Sequence, residues 1–224
     1  MGKNNVEVMN RIVEQALKFT FDNGTFGMNV VDQFHDRLPE TTCAMCGECC
    51  YSISFYSIEY HRMVRHLIET LSPGELRILF YKALNSDDRK VTFGEDNRLK
   101  CLFLQNSVLK NADSKDIRSC SIHKVRPFPC RIYGQERNGK KECSRVESSR
   151  PVPENYYETL LSKLSENSET FKIPTQNSEK TVDFFPFEFW VKRAVFGKEE
   201  AVKWFVSSHF YKKYLAELKK NNSK

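Results

Sequence analysis

The apolar positions of this chain keep a helical rhythm at both ends and lose it in the middle. Residues 4–20 set Val6, Met9, Val13, Ala16, Leu17 and Thr20 on one side, which predicts an amphipathic helix broken by Asn23-Gly24. A second helix is expected from about Ser57 to Leu71. Ser72-Pro73-Gly74-Glu75 then reads as a capping box with proline at the first helical position. The helix it opens should run to about Leu84 and close at Asn85-Ser86-Asp87-Asp88. From about Val91 to Gly139 no period survives. There Cys101-Leu102-Phe103-Leu104 and Cys130-Arg131-Ile132-Tyr133 read as short strands, and Pro127 and Pro129 speak against a regular helix between Arg126 and Cys130.

Helical spacing returns in the last third. Pro153 should open a helix with Tyr157, Leu160, Leu161 and Leu164 on one face, and Ser165 to Lys180 reads as a polar surface loop. Pro186 should start a helix carrying Phe187, Trp190, Val191, Ala194 and Val195 at core spacing, ended by Gly197. One more helix is expected from about Glu199 to Leu218. Because Phe184, Phe185, Phe189, Trp204 and Phe205 follow this spacing, they read as core rather than as a cofactor pocket. The expected fold class is mainly α, with a small irregular α+β metal-binding centre stapled by cysteines. The expected organisation is a single structural domain: an N-terminal helical segment (1–42), a cysteine-cluster core (43–143) and a C-terminal helical segment packed on it (144–224).

Composition narrows the function classes. Seventeen Phe and 40% hydrophobic residues suffice for an ordinary core, while nine Gly argue against a glycine-rich nucleotide-binding protein. The net charge of +6 is dispersed, and its densest group (Lys212, Lys213, Lys219, Lys220, Lys224) reads as a solvated helix face. Nucleic acid is therefore not the expected partner. No apolar run reaches membrane-spanning length, and Met1 to Gln15 lacks the apolar centre of a signal peptide, so a cytoplasmic location is expected. In that reducing compartment eight cysteines are better read as ligands than as disulfides.

Four of those cysteines fall in one run, Cys43-Ala44-Met45-Cys46-Gly47-Glu48-Cys49-Cys50. Two-residue spacers let a tight loop turn several sulfurs toward one point. Structural zinc usually takes two CxxC knuckles, and no second knuckle is present; three thiols at successive spacings with remote sulfurs suit the corners of a cubane cluster. Neighbouring side chains of an extended backbone diverge, so Cys49 and Cys50 serve different metals or only one of them is a ligand. The second constellation is Cys120-Ser121-Ile122-His123-Lys124-Val125-Arg126-Pro127-Phe128-Pro129-Cys130-Arg131. Arg126 and Arg131 would set positive charge beside the sulfurs, where it would offset thiolate charge and tune a cluster. His123 reads as a packing or outer-sphere group rather than a ligand. There is no GxSxG, P-loop, GxGxxG, HExxH or CxxxCxxC.

The string CxxCGxCC, then Cys101-Leu102-Phe103-Leu104, then CSIHxxRPxPCR, resembles the YkgJ-type cysteine-cluster family, described as a zinc- or iron-chelating domain. The resemblance spans about residues 43 to 143 and implies metal binding through Cys43, Cys46, Cys49, Cys50, Cys101, Cys120, Cys130 and Cys143. One branch of the family is similar to flagellin lysine N-methylase, which implies an iron–sulfur cluster acting with S-adenosylmethionine. Two functions are therefore expected as rivals. One is an iron–sulfur protein, with a 4Fe-4S cluster, serving electron transfer or S-adenosylmethionine-dependent methyl transfer, with a redox partner or a protein substrate. The other is a zinc-stabilised protein-interaction module without catalysis.

Overall fold

The computed structural model describes residues 3–24, 27–38, 50–86, 100–110, 116–133, 135–137, 140–141, 143, 152, 154–175 and 178–222. Helix α1 (Lys3–Asn23) forms as predicted, but its buried stripe is Met9, Ile12, Ala16, Phe19 and Thr20, with Val6, Val13 and Leu17 only half-buried. It stops where the Gly24 N–H donates to the Thr20 carbonyl at 2.7 Å. A Cβ on Gly24 would come within 2.7 Å of the His61 Cβ, so only glycine lets the end of this helix lie so close to the next layer. Helix α2 (Met28–Arg37) is not among the expected elements, although Met28, Val31 and Phe34 recur at helical spacing; it follows Gly27, whose φ of 89° is left-handed.

Strand β1 (Ser54–Tyr56) leads directly into α3 (Ser57–Thr70), and α4 (Pro73–Leu84) follows. The predicted capping box at the start of α4 is present: the Ser72 hydroxyl accepts from the Glu75 N–H, and the Glu75 carboxylate accepts from the Ser72 N–H at 2.9 Å. Asn85 closes this helix as expected; Asp87 and Asp88 lie outside the described residues. The middle of the chain holds the hairpin β2 (Leu104–Lys110) and β3 (Asp116–Cys120), a 3-10 turn (His123–Val125), helix α5 (Phe128–Ile132), and the short strands β4 (Glu136–Arg137) and β5 (Lys140–Lys141). Then come α6 (Glu154–Glu166), β6 (Phe171–Pro174), β7 (Glu179–Val182), β8 (Phe184–Pro186), α7 (Phe187–Phe196), α8 (Lys198–Ser207) and α9 (His209–Asn222).

Several expectations need correction. Cys130 to Ile132 is helical, not extended: Pro127 caps α5 and Pro129 falls in its first turn, where a missing N–H costs nothing. Cys101 to Phe103 forms a turn, and the strand begins only at Leu104. The polar stretch up to Lys180 contains a β6–β7 hairpin whose Phe171 and Ile173 alternate with Lys172 and point into the core, a period of two that the surrounding polar residues hide. The last helix is two, because Ser208 breaks it. Its hydroxyl donates back to the Phe205 carbonyl and accepts from the Tyr211 N–H, ending α8 and capping α9.

Among the described residues the strands pair only two by two, all antiparallel: β1 with β8, β2 with β3, β4 with β5 and β6 with β7. The fold is mainly α with minor β, as expected. One aromatic core, centred on Tyr60, Phe80, Phe171, Phe185, Phe187, Phe189 and Trp190, is shared by α1, α3, α4 and α7. Phe185 and Phe189 stack at 3.9 Å, and Trp190 meets both edge-on. Such pairs add about 0.5–1.5 kcal/mol each beyond burial. Of the aromatic residues read as core, Phe185, Phe189 and Phe205 are buried and Trp204 packs half-buried against them, whereas Phe184 lies at the surface. Trp190 Nε1 donates to the carbonyls of both Phe55 and Phe185 at 3.1 Å, stitching β1 to β8. The start of α7 is thereby fixed beside the chain that follows Cys50.

Candidate metal centre

Two backbone attachments bring cysteine-bearing segments together at the edge of this core, one joining Cys50 to Cys101 and one joining Cys120 to the turn after Cys101. The Cys101 N–H donates to the Cys50 carbonyl at 3.1 Å, and Tyr51 bridges to Lys100, so two cysteine-bearing segments lie side by side. Leu104 pairs with Cys120 at the root of the β2–β3 hairpin, and the Ser121 N–H donates to the Phe103 carbonyl at 3.0 Å. That sets Cys120 against the turn holding Cys101. Cys130 sits in α5, where its N–H closes onto the Pro127 carbonyl at 2.9 Å.

Glu59 holds α5 in place. Only 1% exposed, its carboxylate accepts from the Phe128 N–H at 2.5 Å and from the Tyr56 N–H at 3.2 Å, capping α5 and α3 at once. His35 Nε2 lies 3.7 Å from the same carboxylate, and the His35 carbonyl accepts from the Arg131 guanidinium at 3.1 Å. A buried acid bridging two helix starts is well placed, because both present unsatisfied N–H groups. Sequence reasoning missed both Glu59 and His35. The signal was Glu59 three residues after Tyr56, a capping-box spacing hidden because tyrosine is not an ordinary cap.

The thiols sense one another. Burial pushes the Cys101 thiol up to about 12; backbone N–H groups of Phe103 and Leu104 aimed at its sulfur oppose the shift, while the charges of Cys120 and Glu188 add to it. Burial likewise drives Cys130 well above the ordinary thiol range, helped by Cys101, Cys120 and Glu59 and opposed by Arg126. A pair of N–H groups on one sulfur and a guanidinium facing another are features that stabilise metal-bound thiolates. The donor set therefore fits a thiophilic metal. Among the described residues no three Cys, His, Asp or Glu side chains meet at coordination distance by themselves.

Arg126 faces Cys130 and lies 3.4 Å from His123 Nε2, whereas Arg131 turns to the backbone of α2. His123 is half-buried, with burial and the two arginines lowering its affinity for a proton. Cys50, Cys101, Cys120, Cys130 and Cys143 are all half-buried. Cys43, Cys46 and Cys49 lie outside the described residues, so the division of Cys49 and Cys50 between metals does too.

One cavity adjoins the cysteines, and a second shares its Ser52, Ile53 and Phe55 wall. The first is small, about 20 Å³, room for one water-sized species, and is walled by Ser52, Cys101, Cys130, Glu188 and apolar residues including Phe55 and Phe187. A larger one of about 470 Å³ lies on the other side of α5 and is lined by Tyr56, Phe128, Pro129, Tyr157, Tyr214 and neighbouring residues. Its size is that of an organic-ligand site.

Half-buried thiols from separate segments, with hydrogen-bond donors and a cation turned toward them, are chemically suited to holding a metal. A family model named CxxCxxCC, described as a putative zinc- or iron-chelating domain, matches residues 42–149, which include all eight cysteines. The match bears out the cysteine-cluster resemblance over that segment. No curated protein and no solved structure matches the chain. No described helix is long and apolar enough to cross a membrane.

Proposed function

We propose that this chain is an iron–sulfur protein whose ligands come from its eight cysteines, and that the centre acts on an organic substrate in S-adenosylmethionine-dependent methyl transfer. The observation that carries the reading is the convergence of Cys101, Cys120 and Cys130 in a largely apolar, buried setting, beside Cys50 and the CxxCGxCC run. Structural zinc usually takes two CxxC knuckles, whereas three thiols at successive two-residue spacing with remote sulfurs suit the corners of a cubane cluster. When bound, such a centre supplies one-electron chemistry and a position for donors of a cofactor. The chain's own residues do the rest. Glu59 and His35 fix α5 and with it Cys130, while Arg126 offsets thiolate charge. Phe55 and Phe187 keep water from the sulfurs. The cavity on the far side of α5 favours a bound substrate over electron transfer alone, since an electron carrier needs none.

Cys46→Ser should bleach the anaerobically purified protein, and adding S-adenosylmethionine to the reduced natural chain should change its electron paramagnetic resonance spectrum. A spectrum indifferent to S-adenosylmethionine would return the centre to electron transfer. A colourless natural chain holding only zinc would make the metal structural and leave protein interaction as its function.

A further inference from the structure

The cavity on the far side of α5 is walled by rings that meet in pairs. Tyr56 of β1 lies 6.2 Å from Phe184 of β8, Phe128 of α5 lies 5.3 Å from Tyr157 of α6, and Phe205 of α8 lies 6.4 Å from Tyr214 of α9, centroid to centroid. All six line the same space of about 470 Å³, so six elements each contribute one ring and leave the room between them open. Phe184 is 44% exposed, which leaves apolar ring surface for a guest to bury. The charged side chains of the described lining are Lys213 and Glu217, one turn apart on α9 and opposite in sign, so the lining carries no net charge. Burial, with the charges of Asp183, Glu59 and Tyr157 adding to it, pushes the Tyr56 phenol up and keeps its hydroxyl a donor.

We propose that this cavity binds an uncharged planar aromatic molecule bearing a carbonyl or similar acceptor, its ring among the three pairs and its acceptor on the Tyr56 hydroxyl. The inference deepens the substrate reading above and rests on it for the molecule's role, not for its binding. Rings make edge-to-face and offset contacts with another ring, which an aliphatic body of the same size does not offer. A cation is also drawn to ring faces, but entering a lining without net charge it gives up its water for little in return. The two carboxylates that act on Tyr56 are already engaged: Glu59 accepts from the Phe128 and Tyr56 N–H groups, and Asp183 from the Ser165 hydroxyl.

Equilibrium dialysis of the anaerobically purified full chain against 2-acetylnaphthalene, 2-acetyldecalin and choline tests this. The aromatic ketone should bind about tenfold tighter or more than its saturated counterpart or the cation. Tyr56→Phe should weaken the ketone about fivefold and leave 2-ethylnaphthalene, which lacks the carbonyl, unchanged. Phe184→Ala, at an exposed position, should weaken both naphthalenes about fivefold with no change in unfolding temperature. Equal or tighter binding of the decalin or of choline overturns the proposal. So does failure of the ketone to bind, or a ketone affinity that neither substitution changes. Ketone binding beside a metal spectrum indifferent to S-adenosylmethionine would support this inference and remove the methyl-transfer reading alone.

Discussion

Replacing Glu59 with alanine should cost far more than its single carboxylate suggests. The Phe128 N–H, 2.5 Å away, and the Tyr56 N–H, 3.2 Å away, would both lose their acceptor at helix starts, and His35 its neighbouring charge. Each buried donor left without a partner costs about 1–3 kcal/mol, so the loss should be about 3–5 kcal/mol. For a chain of this size that corresponds to a fall in Tm of roughly 10 °C or more. Thermal and urea unfolding of the metal-free, reduced full chain, followed by circular dichroism, would measure it without interference from metal. Glu59→Gln keeps one acceptor but turns an amide N–H toward the other donor, and should lose about half as much. Glu75→Ala is the control. It removes the same capping-box chemistry, but in full contact with water, and should change much less. The Ser72 hydroxyl and backbone N–H hold the Glu75 carboxyl below its usual range, so its small contribution is present at neutral pH and fades as pH falls through that lowered value. Unfolding of Glu59→Ala within about 1 kcal/mol of the natural chain, or an equal loss from Glu75→Ala, would refute the argument that Glu59 anchors α5.

Burial, with Arg65 and Arg193 adding to it, lowers His61 from 6.5 to about 4. The unfolded chain therefore binds the extra proton first. Stability should be complete above pH 6.5 and fall by about 3 kcal/mol toward pH 4, and His61→Gln should flatten that part of the profile relative to the natural chain. An unchanged profile would place the titration elsewhere. Gly27→Ala forces a left-handed φ of 89° and a Cβ 2.5 Å from Asn167 Oδ1, and should destabilise by about 1–3 kcal/mol in urea titration; a neutral result would mean the α1–α2 junction adapts freely. Trp190→Phe leaves the carbonyls of Phe55 and Phe185 without their shared donor and should cost about 1–3 kcal/mol; a loss of only a few tenths would show that β1 and β8 hold without it.

The helices that announce their own ends were readable from the residues. Ser72-Pro73-Gly74-Glu75 opens α4 through contacts made within four residues, and Pro186 and Gly197 bound α7 in the same local way. What the sequence hid depends on partners far along the chain. Glu59 caps α5 from 69 residues away, and Glu188 lines the small cavity beside Cys101 and Cys130 from outside the cysteine-rich segment. No spacing rule connects residues so distant. Pro129 misled for a different reason: proline breaks a helix interior but not a first turn, and a five-residue helix is hardly more than a first turn. The cysteines were the most legible feature, since thiols at two-residue spacing are a recurrent metal-ligand pattern. Their assignment to particular metals was not, because it is set by which turns face one another.

Iron, zinc and acid-labile sulfide measured together on the anaerobically purified full chain test the central claim most directly. The account predicts iron and sulfide in equal, roughly fourfold amounts per chain, with a broad visible absorption, as for one cubane. One or two zinc ions and no sulfide would contradict it, and would leave the cysteines as a structural staple.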